Sequence, residues 1–230
     1  MPGMLSAGRG CANVAAMNRG TFITFEGGEG AGKTTQLHRL AGRLRARGRV
    51  VTTTREPGGT PSAEEIRNLL VRGDTDSLSA KAEALLNYAA RDDHLRRLIR
   101  PALERGEMVL CDRFMDSTRA YQAYAGDCPV GLVDVLEREV VGDTRPDLTL
   151  IFDLPVEEGL RRAGVRNGER HEVAEDRFER KGMAFHERLR QAYLRIAEEN
   201  PQRCVVIDAS GDVDVVERRI LEVLRSRGLA

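Results

Sequence analysis

The residues best equipped for chemistry form the run Gly27-Gly-Glu-Gly-Ala-Gly-Lys33-Thr34. It meets every fixed position of the phosphate-loop pattern: glycine, four free positions, then glycine, lysine and a hydroxyl residue. Glycine lets successive backbone N–H groups turn inward around phosphate oxygens, where a side chain would collide. Lys33 then reaches the β- and γ-phosphates, and the Thr34 hydroxyl is placed for Mg²⁺. Gly27, Gly28, Glu29, Gly30, Ala31, Gly32, Lys33, Thr34 and Thr35 are therefore the candidates for holding a nucleoside triphosphate. Asp112 closes the apolar run Glu107-Met-Val-Leu-Cys-Asp112 and is the second metal candidate, since an aspartate at such a strand end holds Mg²⁺ directly or through water. Helix capping, with Asp116 and Ser117 nearby, is the structural alternative. Arg161, Arg162, Arg166 and Arg170 crowd a stretch that also contains Gly164 and Gly168. A charge run is usually a solvated helix face. Arginines among glycines also suit a mobile lid that closes over phosphates, here about 161–175.

These groups need elements to carry them. Phe22-Ile-Thr-Phe-Glu26 is rich in β-branched and aromatic residues, as a buried strand should be. After the loop, Leu37, Leu40, Ala41 and Leu44 fall on one helical face, so a helix N-terminus points at the anion. Strand-like runs at 21–26, 50–54, 107–111, 148–152 and 203–207 alternate with helical patterns. Those patterns cover Ala63–Val71, Ser79 to about Glu104, Ser117–Tyr124, Val130–Val141, a helix opened by Pro155, then Glu175–Glu199 and Val213–Arg227. The alternation predicts an α/β fold, a five-stranded parallel sheet with helices on both faces. The loop Arg55-Glu-Pro-Gly-Gly-Thr-Pro61 follows a strand's carboxyl end, where open α/β sheets bind ligands.

Composition narrows the classes. At 230 residues the chain suits one α/β domain, 20–230, preceded by a tail, 1–19, that reads as disordered or as sequence upstream of a start at Met17. Lys+Arg 36 against Asp+Glu 36 gives a net charge of +0, which argues against a nucleic-acid-binding surface. No run approaches the length of a membrane span, and the N-terminus lacks the apolar core of a secretory signal. Cys11, Cys111, Cys128 and Cys204 form no C-x-x-C pair, and His38, His94, His171 and His186 sit at no zinc spacing with them. Free thiols in a reducing compartment, the cytoplasm, are expected. The guanine-reading N-K-x-D run of regulatory GTPases is absent.

Several spaced motifs together resemble the bacterial thymidylate kinases. They are Phe25-Glu-Gly-Gly-Glu-Gly-Ala-Gly-Lys-Thr-Thr35, Thr54-Arg-Glu-Pro-Gly-Gly-Thr60, Tyr88-Ala-Ala-Arg91, Asp112-Arg-Phe114, Ser117-Thr-Arg-Ala-Tyr-Gln122 and Asp176-Arg-Phe-Glu179. The resemblance implies transfer of the γ-phosphoryl group of MgATP to dTMP, and a homodimer. It implies that Arg55 and Arg113 grip the acceptor phosphate and that Glu29 contacts the acceptor near its sugar. Arg91 would bond the base with Ser117 and Thr118 beside it, and Tyr121, next to Gln122, would crowd a 2′-hydroxyl. The family often carries an aromatic four residues before that arginine; Asn87 stands here, so either Phe114, Tyr88 or another side chain covers the base, or stacking on it is weaker. Family members of one type have an arginine directly after the loop's acidic residue; the other type has a small residue there and a basic lid. Gly30 after Glu29 matches the second type, which makes Arg162 and Arg166, spaced i, i+4, the expected lid catalysts alongside Lys33 and Arg113.

Overall fold

The computed structural model describes residues 19–71, 78–168, 178 and 181–229, with the side chains of 165–168 outside the description. The tail 1–18 and positions 169–175 of the expected lid, Arg170 among them, lie outside it.

Strand β1 (Phe22–Gly27) leads through the glycine-rich loop into helix α1 (Lys33–Ala46). Then come β2 (Val51–Arg55), α2 (Pro61–Val71) and α3 (Ala80–His94). Ser79 caps α3 by accepting from Ala82 N–H, and Pro61 opens α2, where a missing donor costs nothing. A π-helical stretch, Leu95–Ile99, joins α3 to α4 (Arg100–Glu104). Beyond β3 (Met108–Asp112), α5 (Met115–Thr118) runs into a second π-helical stretch, Arg119–Tyr124. Helix α6 (Val130–Leu136) and a third such stretch, Glu137–Val141, precede β4 (Leu148–Asp153) and α7 (Val156–Gly168). The chain ends with α8 (Met183–Glu199), β5 (Cys204–Asp208) and α9 (Val213–Ser226).

All four strand pairings are parallel, in the order β2-β3-β1-β4-β5. Period-two alternation divides each strand between two cores. Met108 and Leu110 pack with Ile23, Phe25, Leu150 and Phe152 against α1 and α9. Val109, Cys111 and Phe22 face α3, α4 and α6, while Ile151 and Cys204 face α8. Each fully buried Leu or Phe of these layers contributes about 1.5–3 kcal/mol. Cys111, Cys128 and Cys204 are free and buried.

Each strand extends one residue beyond its expected end, to Gly27, Arg55, Asp112, Asp153 and Asp208. Register puts Arg55 beside Asp112 and Asp112 beside Phe25, so these termini share one edge of the sheet. One expected helix is corrected: α8 begins at Met183, not 175, because Gly182 is its N-cap and Phe178 lies in a turn. Residues 161–168 of the expected lid continue α7 as helix.

Candidate active site

The loop between β1 and α1 is shaped by backbone that only glycine takes easily. Gly27, Gly30 and Gly32 have φ of 133°, 66° and 85°. A Cβ on Gly30 would stand 1.9 Å from Gly159 O of α7, so no side chain fits there. Helix α1 has no side-chain cap, which leaves its first N–H groups to an anion. Lys33 is buried, and its Nζ donates to Gly27 O at 3.1 Å and Gly28 O at 2.7 Å. Burial, with the Arg113 cation nearby, lowers its pKa to about 8. The Thr34 hydroxyl donates to the Asp112 carboxylate across the loop. Asp112 is thus a strand-end carboxylate facing the phosphate loop, and Asp116 is used elsewhere, in a two-pronged pair with Arg203 at 2.7 and 2.8 Å.

Arg113 follows β3 with φ 67°, left-handed backbone that a non-glycine residue adopts at a cost. Its own N–H bonds Phe25 O at 3.0 Å, which pins the turn to β1. Its Nη2 donates to Glu29 Oε1 at 2.8 Å, and its Nη1 donates to Gly27 O at 3.0 Å. Tyr121 donates to the same Glu29 oxygen at 2.6 Å, and its ring lies 5.0 Å from the Arg113 guanidinium. Burial would pull the Arg113 pKa down, yet Glu29 and its other neighbours hold it well above the usual arginine value. The Gly27 carbonyl therefore accepts from Lys33 and from Arg113 at once. A cation from the triphosphate loop and a cation from the far side meet on one atom.

Arg55 is half exposed and paired with Glu64 at 3.0 Å. Glu56 beside it is buried and joins two groups of α3: Arg91 Nε donates to it at 2.8 Å, and His94 Nδ1 lies 2.9 Å away. His94 Nε2 in turn lies 2.8 Å from the Thr54 hydroxyl. Arg91 also donates to Phe114 O and the Thr118 hydroxyl, both at 3.1 Å. Its Nη1 is buried with no partner among the described residues, an uncommon state for a guanidinium nitrogen.

One cleft of about 830 Å³ gathers these groups. Glu29 to Thr35, Arg55, Asp112, Arg113, Ser117, Thr118, Tyr121 and Gln122 all line it, so most residues singled out from the sequence come together. Gln122 also donates to Glu83 at 2.8 Å. Arg91 lies behind Glu56 and Thr118, which line the cleft. Phe114 and Tyr88, two of the expected base covers, are fully buried and stack beneath the Arg91 guanidinium at 5.1 and 4.5 Å from it. The aromatic side chains that do line the cleft, among the described residues, are Tyr121 and Phe178, which meet edge to face with centroids 5.3 Å apart. Asn87 lines the cleft as well, its amide donating to Glu83 O.

Arg161 and Arg162 both pair with Glu158 one turn earlier on α7, and Arg162 also reaches Ala209 O at 3.4 Å. Neither lines the cleft. Arg166 lies one turn further on the same helix, its side chain outside the description.

Sequence reasoning passed over Glu26 and Tyr193. The Glu26 carboxylate is fully buried and accepts from Phe114 N–H at 2.7 Å, Ser117 Oγ at 2.6 Å and Tyr193 OH at 3.2 Å. Burial, then repulsion from Asp116, push its pKa up to about 7. An acid inside an apolar strand was a readable signal, since buried charge demands partners. Tyr193 left no signal, because it occupies an apolar-face position of an amphipathic helix.

The family model described as thymidylate kinase matches residues 25–220. The chain is 58% identical over 211 residues to a thymidylate kinase of Caulobacter vibrioides, spanning 92% of this chain and 99% of that one. It is 56% identical over 211 residues to one of Nitrobacter hamburgensis, spanning 92% and 90%. Among solved structures, a thymidylate kinase from Ehrlichia chaffeensis superposes with a TM-score of 0.72 at 37% identity, covering 90% of this chain and 99% of that one.

Proposed function

The chain belongs to the thymidylate kinase family, and from that premise we propose how its residues divide the family's reaction, transfer of the γ-phosphoryl group of ATP to dTMP. The products are dTDP and ADP: an acceptor phosphate oxygen forms the new bond to Pγ, and the bond to the β,γ-bridging oxygen breaks. The acceptor is already an anion, so no strong base is required. The difficulty is bringing two polyanions into line, which positioned cations relieve.

The observation that carries this reading is the meeting of Lys33 and Arg113 on Gly27 O within one cleft. Lys33 leaves its loop carbonyls for the β- and γ-phosphates, and Arg113, with Arg55, takes the acceptor phosphate through guanidinium forks. Glu29 holds Arg113 and Tyr121 on one oxygen, so it sets both the phosphate cation and the ring that crowds a 2′-hydroxyl. The unpartnered Nη1 supports Arg91 as the donor to the base, with Ser117 and Thr118 alongside. Thr34 and Asp112 present a hydroxyl and a carboxylate side by side, hard oxygen donors that suit Mg²⁺. Bound there with ATP, Mg²⁺ would offset phosphate charge. Arg162 and Arg166 remain the lid candidates, and the space denied to a side chain at Gly30 supports a catalytic arginine supplied from outside the loop.

We assign the protein to the cytoplasm as a homodimer, on its family and its free buried cysteines; no helix among the described residues is long and apolar enough to cross a membrane. A coupled assay with ATP, Mg²⁺ and dTMP, dUMP, dCMP, dGMP or dAMP tests the acceptor. Turnover should be fastest with dTMP; a purine acceptor used better would refute the base assignment.

A further inference from the structure

Arg113 is held in two directions. In front, Glu29 and Gly27 O take its protons. Behind it stand two hydroxyls: Tyr193 OH at 3.1 Å and Ser117 Oγ at 3.3 Å from Nη1, and 2.9 Å from each other. Arginine can only donate, so these hydroxyl oxygens accept from it and must send their own protons elsewhere. Ser117 Oγ sends its proton to Glu26 Oε2 at 2.6 Å, and Tyr193 shares its single proton between that oxygen at 3.2 Å and Ser117 Oγ. The other oxygen, Oε1, accepts the N–H of Phe114, the residue directly after Arg113, at 2.7 Å. Glu26 thus fixes the direction of the whole chain of bonds and the strained turn that carries Arg113.

We propose that Glu26 and Tyr193 are positioning residues for the acceptor-phosphate arginine: the buried carboxylate orients the Ser117–Tyr193 hydroxyl pair, and that pair aims the Arg113 guanidinium. Neither group need touch a substrate. Tyr193 brings helix α8 into the site, so the helix that follows the lid region shares in setting the acceptor cation. A hydrophobic residue at either position would leave buried polar groups unpaired and free Arg113 to turn toward Glu29 alone.

The inference rests on Arg113 serving the acceptor phosphate, and the test separates the two claims. Tyr193→Phe removes one hydroxyl and little volume; kcat/KM for dTMP should fall about tenfold, the scale for one bond to a charged group, with KM for ATP unchanged. Glu26→Gln, which replaces one acceptor oxygen by a donor, should give the same split. If either variant fails to fold, judged by lost ATP binding, the other is read in its place. The Tyr193→Phe effect is then measured again on an Arg113→Ala background. It should vanish, because the group it acts through is gone. A tenfold loss that persists there marks a merely structural role and overturns the proposal, as does an unchanged kcat/KM in the single variants. If Arg113→Ala itself leaves dTMP use intact, the reading of Arg113 fails instead.

Discussion

At the residue scale the site is a set of cations held on protein oxygens, Lys33 buried, Arg113 largely so and Arg55 half exposed. Lys33 is buried against two carbonyls of its own loop, an arrangement that a triphosphate would exchange for phosphate oxygens. Its ammonium should matter most where charge spreads over the transferring group. Lys33→Ala is therefore expected to lower kcat on the order of 10²-fold, the scale for removing one such electrostatic contact. Near-normal turnover would take Lys33 out of the mechanism. Tyr121 gives a specificity prediction: its ring is tied through Glu29 to Arg113, so Tyr121→Ala should raise the rate with ribonucleotide acceptors relative to dTMP. Parallel assays with UMP and dUMP check it. Glu26 gives a pH prediction. Its native pKa of about 7 lies above the unfolded value of 4.5, so between these the folded chain binds more protons than the unfolded one. Its contribution is fully present below the unfolded value and is lost as pH rises through 7. The melting temperature of the wild type, relative to Glu26→Gln, should therefore fall from pH 5 to pH 7, within the range set by those two values. A constant difference across that range would contradict the burial argument.

At the scale of elements, the phosphate loop and α7 are fitted glycine to glycine. A Cβ on Gly159 would stand 2.5 Å from Glu29 O, and one on Gly30 would collide with Gly159 O. The helix that bears Arg161, Arg162 and Arg166 is thus seated directly on the glycine-rich loop between β1 and α1. Gly159→Ala should push α7 off the loop and lower kcat for phosphoryl transfer while leaving the Arg55 and Arg113 side intact, so KM for dTMP should hold. Steady-state kinetics with each substrate varied in turn would show it; a loss confined to dTMP would place the fault elsewhere. The elements themselves were legible because each carried its own local signal. Glycine and proline punctuated the loops, and β-branched runs gave the five strands to within a residue. The start of α8 was not legible. The charged residues from 175 onward continue a helical periodicity, and nothing in the pattern marks Gly182 as the cap.

At the scale of the whole molecule, what decides function is a convergence that no single stretch contains. The strand order β2-β3-β1-β4-β5 places the ends of β1, β2 and β3 side by side, and so brings Lys33, Arg55, Asp112 and Arg113 to one cleft. The motifs named these residues but could not give the order, nor show that Lys33 and Arg113 share the Gly27 carbonyl. They also could not reveal Tyr193 or Glu26 behind Arg113, since those contacts join residues 76 to 167 positions apart. One cleft should hold donor and acceptor in line, with Lys33 on one side and Arg113 on the other. The most direct measurement is calorimetric binding of a single molecule that joins adenosine to thymidine through a polyphosphate chain. It should compete with both ATP and dTMP, bind more tightly than either, and be weakened by Lys33→Ala and by Arg113→Lys alike. Competition with ATP alone, or affinity untouched by Arg113→Lys, would contradict that arrangement.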